Sequence, residues 1–507
     1  MKTNTRIEFG DFQTPPLLAE EICRVVRARC GDFAAVIETT CGHGAFLAAA
    51  GAVFPRAGLC GREINPAYVE IARVALSDAG FDGRADVGVQ DFFSADWNAE
   101  LSAFPDRLLL LGNPPWVTNA GVSAIGGSNL PVKANFQGMR GLEARTGKAN
   151  FDISEWMLIR LLEAIRPRAA VLAMLCKTAT ARKFLRYAWR HDGRVARASV
   201  HRIDAAKYFG AAVDACLLIA ELGDNGPAEA DLFTSLDASR PAQRFGLAGK
   251  HLVADRPTYR RCQHLEGLSS YQWRSGLKHD CAPVMELAAA GPGLFRNQLG
   301  EVTAIEPDIV FPLLKCTHLA RGRLAPERWV IVTQRHVGEA TDGIATRAPQ
   351  AWAYLQSHAA RFAARKSSIY KSSAPFALFG IGEYAFAPWK VAVSALHRPP
   401  SFVVVPPLNG QPVMFDDTCY FIPLWSEAEA RVVAAVLNSP TAIAFIESLT
   451  FPEAKRPVTT ELLHRLNFHA LAGEAGLLSD WEEARGLREP AGSAVGQLEM
   501  VMERPPA

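Results

Sequence analysis

The feature that most constrains this chain is an alternation running through its first 222 residues. Short apolar runs stand at Ala34–Ile37, Ala57–Arg62, Ala85–Val89, Leu108–Leu111, Ala169–Leu175, Ala198–Ile203 and Cys216–Glu221. Amphipathic stretches separate them at Pro16–Ala28, Gly44–Ala50, Pro66–Ala79, Ser154–Ile165 and Ala179–Trp189. Near-continuous apolar runs of strand length belong to strands buried on both faces, and the amphipathic stretches supply the helices that cover them. The pattern predicts an α/β fold with a doubly wound, largely parallel sheet. Thr14-Pro15-Pro16 reads as the start of the first helix, with Thr14 as N-cap and proline in the first turn.

After residue 222 the periodicity is less regular. Gly223–Pro227 carries Asp, Asn and two glycines and reads as a boundary. The expected organisation is a first domain over 1–222, a linker over 223–250, an α+β domain over 251–484 and a frayed tail over 485–507. Strands are expected at Trp329–Thr333, Val391–Ser394, Phe402–Val405 and Tyr420–Leu424, with helices at Glu427–Leu437 and Pro440–Leu449.

Three successive strand ends carry chemistry. The first runs Glu38-Thr39-Thr40-Cys41-Gly42-His43-Gly44-Ala45-Phe46 and opens a helix. Gly42 and Gly44 allow a tight turn and close approach of the backbone to a ligand, and the helix N-terminus offers free N–H groups. The second strand ends at Glu63, 25 residues after Glu38, where a carboxylate can accept both hydroxyls of a ribose. The third ends Gln90-Asp91-Phe92-Phe93, placing an acceptor and an aromatic ring where an adenine would lie. A dinucleotide fingerprint would show a third glycine, and that position is Leu47. A Gly-x-Gly turn can also do no more than close a strand–helix corner. The ordered sequence of glycine loop, acid and acid–aromatic favours a nucleotide-type cofactor.

The fourth strand ends Gly112-Asn113-Pro114-Pro115-Trp116. Two consecutive prolines fix φ twice and remove two N–H donors, leaving nearby carbonyls free to accept. An amide, a bare carbonyl and an indole face would suit a flat heterocycle with an exocyclic amine. The alternative is a proline pair that punctuates a strand end while Trp116 caps the core.

Composition bounds the partners. The net charge is only +2, yet Arg240 to Pro375 holds 19 Lys plus Arg against 10 Asp plus Glu. That basic middle suits contact with phosphates, or a solvated, salt-bridged surface. The ten cysteines form no Cys-x-x-Cys pair and no zinc spacing, so no metal is expected and reduced thiols in a cytoplasmic protein are. Met1 to Asp11 is polar and charged, which does not read as a secretory signal, and no apolar run reaches membrane-spanning length.

Taken together these residues resemble the amino-methyltransferases of DNA, specifically the gamma-class N6-adenine enzymes of bacterial restriction–modification systems. The family's opening Thr-Pro is matched by Thr14-Pro15. Its glycine motif is matched at Glu38, Gly42, Gly44 and Phe46, with Thr39 where proline is usual; Cys41 lies within the same loop. Glu63 and Asp91-Phe92 match the ribose and adenine motifs, and Asn113-Pro114-Pro115-Trp116 the catalytic motif, whose aromatic is more often Tyr or Phe. Asn150-Phe151-Asp152-Ile153-Ser154-Glu155-Trp156 and Leu175-Cys176-Lys177-Thr178 match later motifs more loosely, as does Tyr208-Phe209-Gly210, where Phe209 is the candidate contact to an extruded base.

The resemblance implies a Rossmann-like methyltransferase domain followed by an α+β target-recognition domain, with S-adenosyl-L-methionine as cofactor. It implies double-stranded DNA as partner, a separately encoded restriction endonuclease, and a cytoplasmic, nucleoid-associated location. Asn113 and the Pro114 carbonyl would accept the amine hydrogens of a flipped adenine, and Trp116 would stack on it. In the second half Arg365, Lys366, Tyr370, Lys371 and Lys390 are the candidate DNA contacts. Related chemistry leaves RNA adenine, protein glutamine and N4-cytosine as alternative targets, and a non-catalytic DNA-binding module as a different class.

Overall fold

The computed structural model describes residues 12–116, 152–165, 168–191 and 194–486. The chain divides into two compact units between Pro257 and Thr258.

The first unit is built on one ten-stranded sheet. Its elements in chain order are α1 (Pro16–Cys30), β1 (Ala35–Glu38), α2 (Ala45–Val53), β2 (Gly58–Glu63), α3 (Pro66–Asp78), β3 (Ala85–Val89), α4 (Trp97–Ser102), β4 (Leu108–Gly112), α5 (Ile153–Ile165), β5 (Ala170–Lys177), α6 (Thr178–Arg190), β6 (Val195–Ile203), α7 (Ala205–Phe209), β7 (Ala215–Leu222), β8 (Glu229–Phe233), β9 (Gln243–Ala248) and β10 (His251–Val253). The strand order is β10-β9-β8-β6-β7-β5-β4-β1-β2-β3. Strands β1 to β5 run parallel to one another, and β7 runs antiparallel between β5 and β6. This is a doubly wound, Rossmann-like α/β fold.

The apolar runs form strands because both faces are covered. Val36, Leu109, Leu111, Ala173 and Leu175 pack in one cluster with Leu18, Ile22 and Val26 of α1 and Phe46 and Leu47 of α2. The alternate residues Ile37, Leu110, Leu172 and Met174 point to the opposite face and are equally buried. Each such side chain contributes about 1.5–3 kcal/mol on leaving water.

Two local expectations are corrected. Helix α1 takes Pro15, not Thr14, as its N-cap, with no side-chain cap bond and Pro16 at its first turn; the Thr14 hydroxyl is engaged elsewhere. Residues 223–250 are no linker, because β8, β9 and β10 extend the sheet, with β8 parallel to β6. Pairing with β8 removes what would be an open edge on β6. The glycines there serve close approach. A Cβ on Gly223, at φ +117, would lie 2.7 Å from the Ala169 Cα, and one on Gly226 2.0 Å from the Ala196 carbonyl oxygen.

The second unit is α+β. One sheet has four strands in the order Arg274–Ser275, Cys419–Leu424, Trp389–Ser394 and Val403–Val405. The other has six, in the order Val302–Ala304, Leu294–Arg296, Glu286–Gly291, Arg328–Ile331, Val310–Leu314 and Met414–Phe415. Helices Glu427–Leu437 and Pro440–Ser448 are capped by the hydroxyls of Ser426 and Ser439. Among the described residues no single helix is long and apolar enough to cross a membrane.

Lys390, expected at a DNA-facing surface, lies instead in the core of this unit. Its strand is buried on both faces, so alternation offers it no solvent side. It is 1% exposed, its ammonium donates to the Ala387 carbonyl at 2.6 Å, and burial lowers its pKa to about 7. An unfolded chain returns the amine to its ordinary pKa, so between about pH 7 and 10 the unfolded state binds the extra proton and stability rises with pH. Lys390→Met is therefore expected to stabilise the protein by about 1–4 kcal/mol at pH 7, with the gain shrinking toward pH 9.5. Urea titrations of both proteins at the two pH values would show it; an equal difference at both would refute the assignment.

Candidate active site

The carboxyl ends of β1, β2, β3 and β4 lie side by side. The chain reverses its direction of travel across the sheet between β1 and β4, and open α/β sheets bind ligands in the crevice at such a point. A cavity of about 410 Å³ opens there, a volume within the range of small-molecule sites.

Its floor is the glycine loop. Gly42 and Gly44 both adopt positive φ, +49° and +79°, and Gly44 is the left-handed N-cap of α2. A Cβ on Gly42 would meet the Gln13 side-chain oxygen at 2.6 Å, and one on Gly44 the Ala72 Cβ at 3.0 Å. Glu63 holds the loop in place: its Oε2 accepts from the Gly42 N–H and its Oε1 from the Asn65 N–H, both at 2.9 Å. On the other side the Gln13 Oε1 accepts from the His43 N–H at 3.1 Å.

Glu38 is 3% exposed, and its Oε2 has no hydrogen-bond partner. Desolvation, and next the Glu63 charge, hold its pKa well above the ordinary carboxylate value. A buried carboxyl oxygen without a partner is costly, and such groups concentrate where a ligand completes them. The Asp91 Oδ1 accepts from the Phe93 N–H at 3.0 Å. Phe92 is buried against Trp97 and Trp156, at centroid distances of 5.0 and 6.1 Å.

Asn113 stands where β4 ends. Its Nδ2 donates to the Phe12 carbonyl at 2.9 Å and to the Thr14 hydroxyl at 3.3 Å. A carbonyl can only accept, so this pair sets which way the amide faces. The Asn113 Oδ1 is buried and has no partner.

Around the one cavity the fold brings together Thr14, Glu38, Cys41, Gly42, Phe46, Glu63, Asp91, Phe92, Asn113 and Pro115. Pro15, Gly44, Pro114, Trp116 and Phe209 do not line it. Trp116 and Phe209 are 6% and 8% exposed and pack against each other at 5.1 Å and against Phe12 at 5.8 and 6.3 Å. The Trp116 indole N–H donates to the Leu175 carbonyl at 3.3 Å.

Sequence comparison decides the family. Over 475 residues the chain is 40% identical to the type II methyltransferase M.NspV of Nostoc sp., a match spanning 92% of this chain and 98% of that protein. The chain belongs to the type II methyltransferases. No protein-family model matches it. Among solved structures it is similar to the type IIL restriction–modification enzyme MmeI in complex with DNA, at TM-score 0.49 and 12% identity, over 96% of this chain and 74% of that one. A type I restriction–modification methyltransferase subunit from Streptococcus thermophilus matches at TM-score 0.32 and 14% identity, over 50% of this chain and 52% of that one. The family assignment rests on the sequence relative.

In this type II methyltransferase several cavity residues escape sequence reasoning. Phe12 and Gln13 close the site from the N-terminal side, Tyr68 packs its ring 4.4 Å from His43, and Ile153 and Met157 reach it from α5. Phe12 and Gln13 carried a signal as neighbours of the Thr14-Pro15 motif and Ile153 as a member of the Asn150–Trp156 motif, whereas Tyr68 and Met157 carried none. Asn150 and Phe151 lie outside the described residues.

The expected DNA contacts separate into two kinds. Arg365 donates to the His279 and Ala377 carbonyls at 3.2 and 2.9 Å and lies 3.7 Å from the ring centre of Tyr370, itself 9% exposed. The guanidinium fork is thus spent on the protein's own carbonyls. With Lys390 also buried, Lys366 and Lys371 are the two of that set exposed to solvent.

Proposed function

We propose that this type II methyltransferase transfers a methyl group from S-adenosyl-L-methionine to the N6 amine of adenine in double-stranded DNA, within a restriction–modification system. The observation that carries the reading is the buried, unpartnered Asn113 Oδ1 beside a cavity that Glu38, with its own buried, unpartnered Oε2, also lines.

The cavity's donor set fits the cofactor. The Glu38 carboxylate is complementary to a cation, the Glu63 carboxylate keeps lone pairs for ribose hydroxyls, and Asp91 and Phe92 offer an acceptor and a ring edge to a purine. The glycine loop has no space for side chains, since a Cβ on Gly42 or Gly44 would meet Gln13 or Ala72. When bound, the cofactor supplies a methyl group on a sulfonium, already activated for transfer. The protein then has to orient the acceptor. The Asn113 Oδ1 and the Pro114 carbonyl would accept the two amine hydrogens, favouring a pyramidal nitrogen whose lone pair is free and stabilising the positive charge that develops on it. Phe12 and Thr14 hold the Asn113 amide through its nitrogen and leave its oxygen without a partner. The target adenine would have to leave the helix, at a cost of a few kcal/mol. Trp116, as placed, stiffens the loop through the aromatic cluster.

On this reading the second unit recognises the sequence, a separately encoded endonuclease cuts the unmodified site, and the protein works in the bacterial cytoplasm on the nucleoid. Single-molecule sequencing of DNA from cells expressing the protein should report N6-methyladenine within one recurrent sequence. N4-methylcytosine, or unmodified DNA from cells containing folded protein, would overturn the proposal. Replacing Lys366 and Lys371 together by Ala should weaken DNA binding and reduce the slope of log K against log salt by about 2. An unchanged slope would remove this segment from the interface.

A further inference from the structure

The two prolines that expose carbonyls in the Asn113–Trp116 loop also deprive it of backbone donors. Something else must hold it. At its near end the Asn113 amide is tied to Phe12 and Thr14. At its far end the Trp116 carbonyl accepts from the Lys177 ammonium at 2.9 Å. Lys177 is the last residue of β5, the strand paired with β4, so the same sheet that launches the loop supplies the cation that stops it.

Lys177 is itself held. Its ammonium pairs with the Asp152 Oδ2 at 2.6 Å, and the Asp152 side chain is 8% exposed. The Asp152 Oδ1 accepts from the Ser154 N–H at 3.1 Å and from the Ser154 hydroxyl at 2.5 Å, at the start of α5. That helix goes on to place Ile153 and Met157 on the cavity wall. A charge-assisted network with so little exposure is stiff, since each group has lost most of its water and few alternatives remain.

We infer that Lys177 is a positioning residue for methyl transfer, its ammonium fixing the Trp116 carbonyl and so the loop that presents Asn113, with Asp152 acting through it. The inference rests on the proposed function, in which Asn113 meets the acceptor amine. A loop freed at one end swings its acceptors by fractions of an ångström to about an ångström, and misplacement of that size lowers rate rather than affinity.

The test uses the full chain, tritiated S-adenosyl-L-methionine and bacterial genomic DNA from a strain lacking this protein. Single-turnover transfer by Lys177→Met is expected to be about 10- to 100-fold slower than wild type at saturating DNA and cofactor. Its cofactor dissociation constant should stay within about twofold, and its DNA salt slope unchanged. Asp152→Asn should show a loss of the same kind, and the double variant should be no slower than the worse single one, because the two residues act as a unit. Lys177→Arg, which retains a donor, should recover part of the rate. A wild-type rate in Lys177→Met overturns the inference, as does additive loss in the double variant. A reduced salt slope would show a phosphate contact instead, and a rate loss matched by equal losses of cofactor binding and thermal stability would show a purely structural part. Should Lys177→Met not fold, Asp152→Asn decides alone by the same rate, binding and salt-slope readings. If Asn113→Ala kept activity, the functional reading itself would fall; if only Lys177→Met kept it, this inference alone would.

Discussion

Asn113→Ala should lower methyl transfer at least about 100-fold while cofactor affinity stays within about twofold. The side chain's donor side is already used, on the Phe12 carbonyl and the Thr14 hydroxyl. Its acceptor is the group left without a partner. Truncation removes that acceptor at the moment positive charge grows on the amine, so the loss should fall on the rate of the bound complex. The variant also leaves the Phe12 carbonyl without this donor, at a cost of about 1 kcal/mol in stability, too little to unfold a chain of this size. Single-turnover rates and calorimetric cofactor titration of the same preparation separate the effects. A variant that methylates at the parental rate would sink the assignment of the catalytic corner.

Glu38→Gln is expected to separate stability from binding. In the cofactor-free protein the Glu38 carboxyl is buried beside Glu63, and its pKa lies well above the ordinary value. Its contribution to stability is therefore fully present below about pH 4.5 and is lost as pH rises toward the folded pKa, because the unfolded chain releases the proton first. Gln cannot ionise, so above pH 5 the variant should melt at least as high as the wild type. Cofactor binding should go the other way. Removing the buried charge that faces a cationic ligand costs about 2–5 kcal/mol, or about 30-fold or more in dissociation constant. In the wild type, affinity should also rise with pH as the carboxyl becomes easier to ionise, a trend the variant should lack. Titrations at pH 6 and 8 measure both effects. Equal affinity in the two proteins would place the cofactor's cationic end elsewhere.

Much of the first unit was legible because its signals are local. The run Leu108–Leu111 can be little else than a strand covered on both sides, and Gly42-His43-Gly44 after a strand can hardly avoid a tight turn into a helix. The resemblance carried by Glu38, Glu63, Asp91 and Asn113 converged on one cavity. The errors arose where a local signal has two tertiary outcomes. Gly223 and Gly226 look like a flexible linker, yet they are glycine because neighbouring strands pass within contact distance. Lys390 looks like a surface cation, yet its strand is covered on both faces. Arg365 looks like a phosphate ligand, yet three carbonyls, those of Phe362, His279 and Ala377, already hold it.

What the order of residues determined by itself was the periodicity of the strands, the stiffness of the Pro114-Pro115 corner and the chemistry available at each strand end, since these depend on side-chain type and short-range sterics. What only the tertiary structure decided was direction. Which atom of the Asn113 amide is left without a partner depends on Phe12, 101 residues away in the chain. Whether Trp116 lies open or against Phe209 depends on how β5 and α7 pack. Those outcomes come from long-range contacts whose free energies are shared among many residues, and no local pattern encodes them.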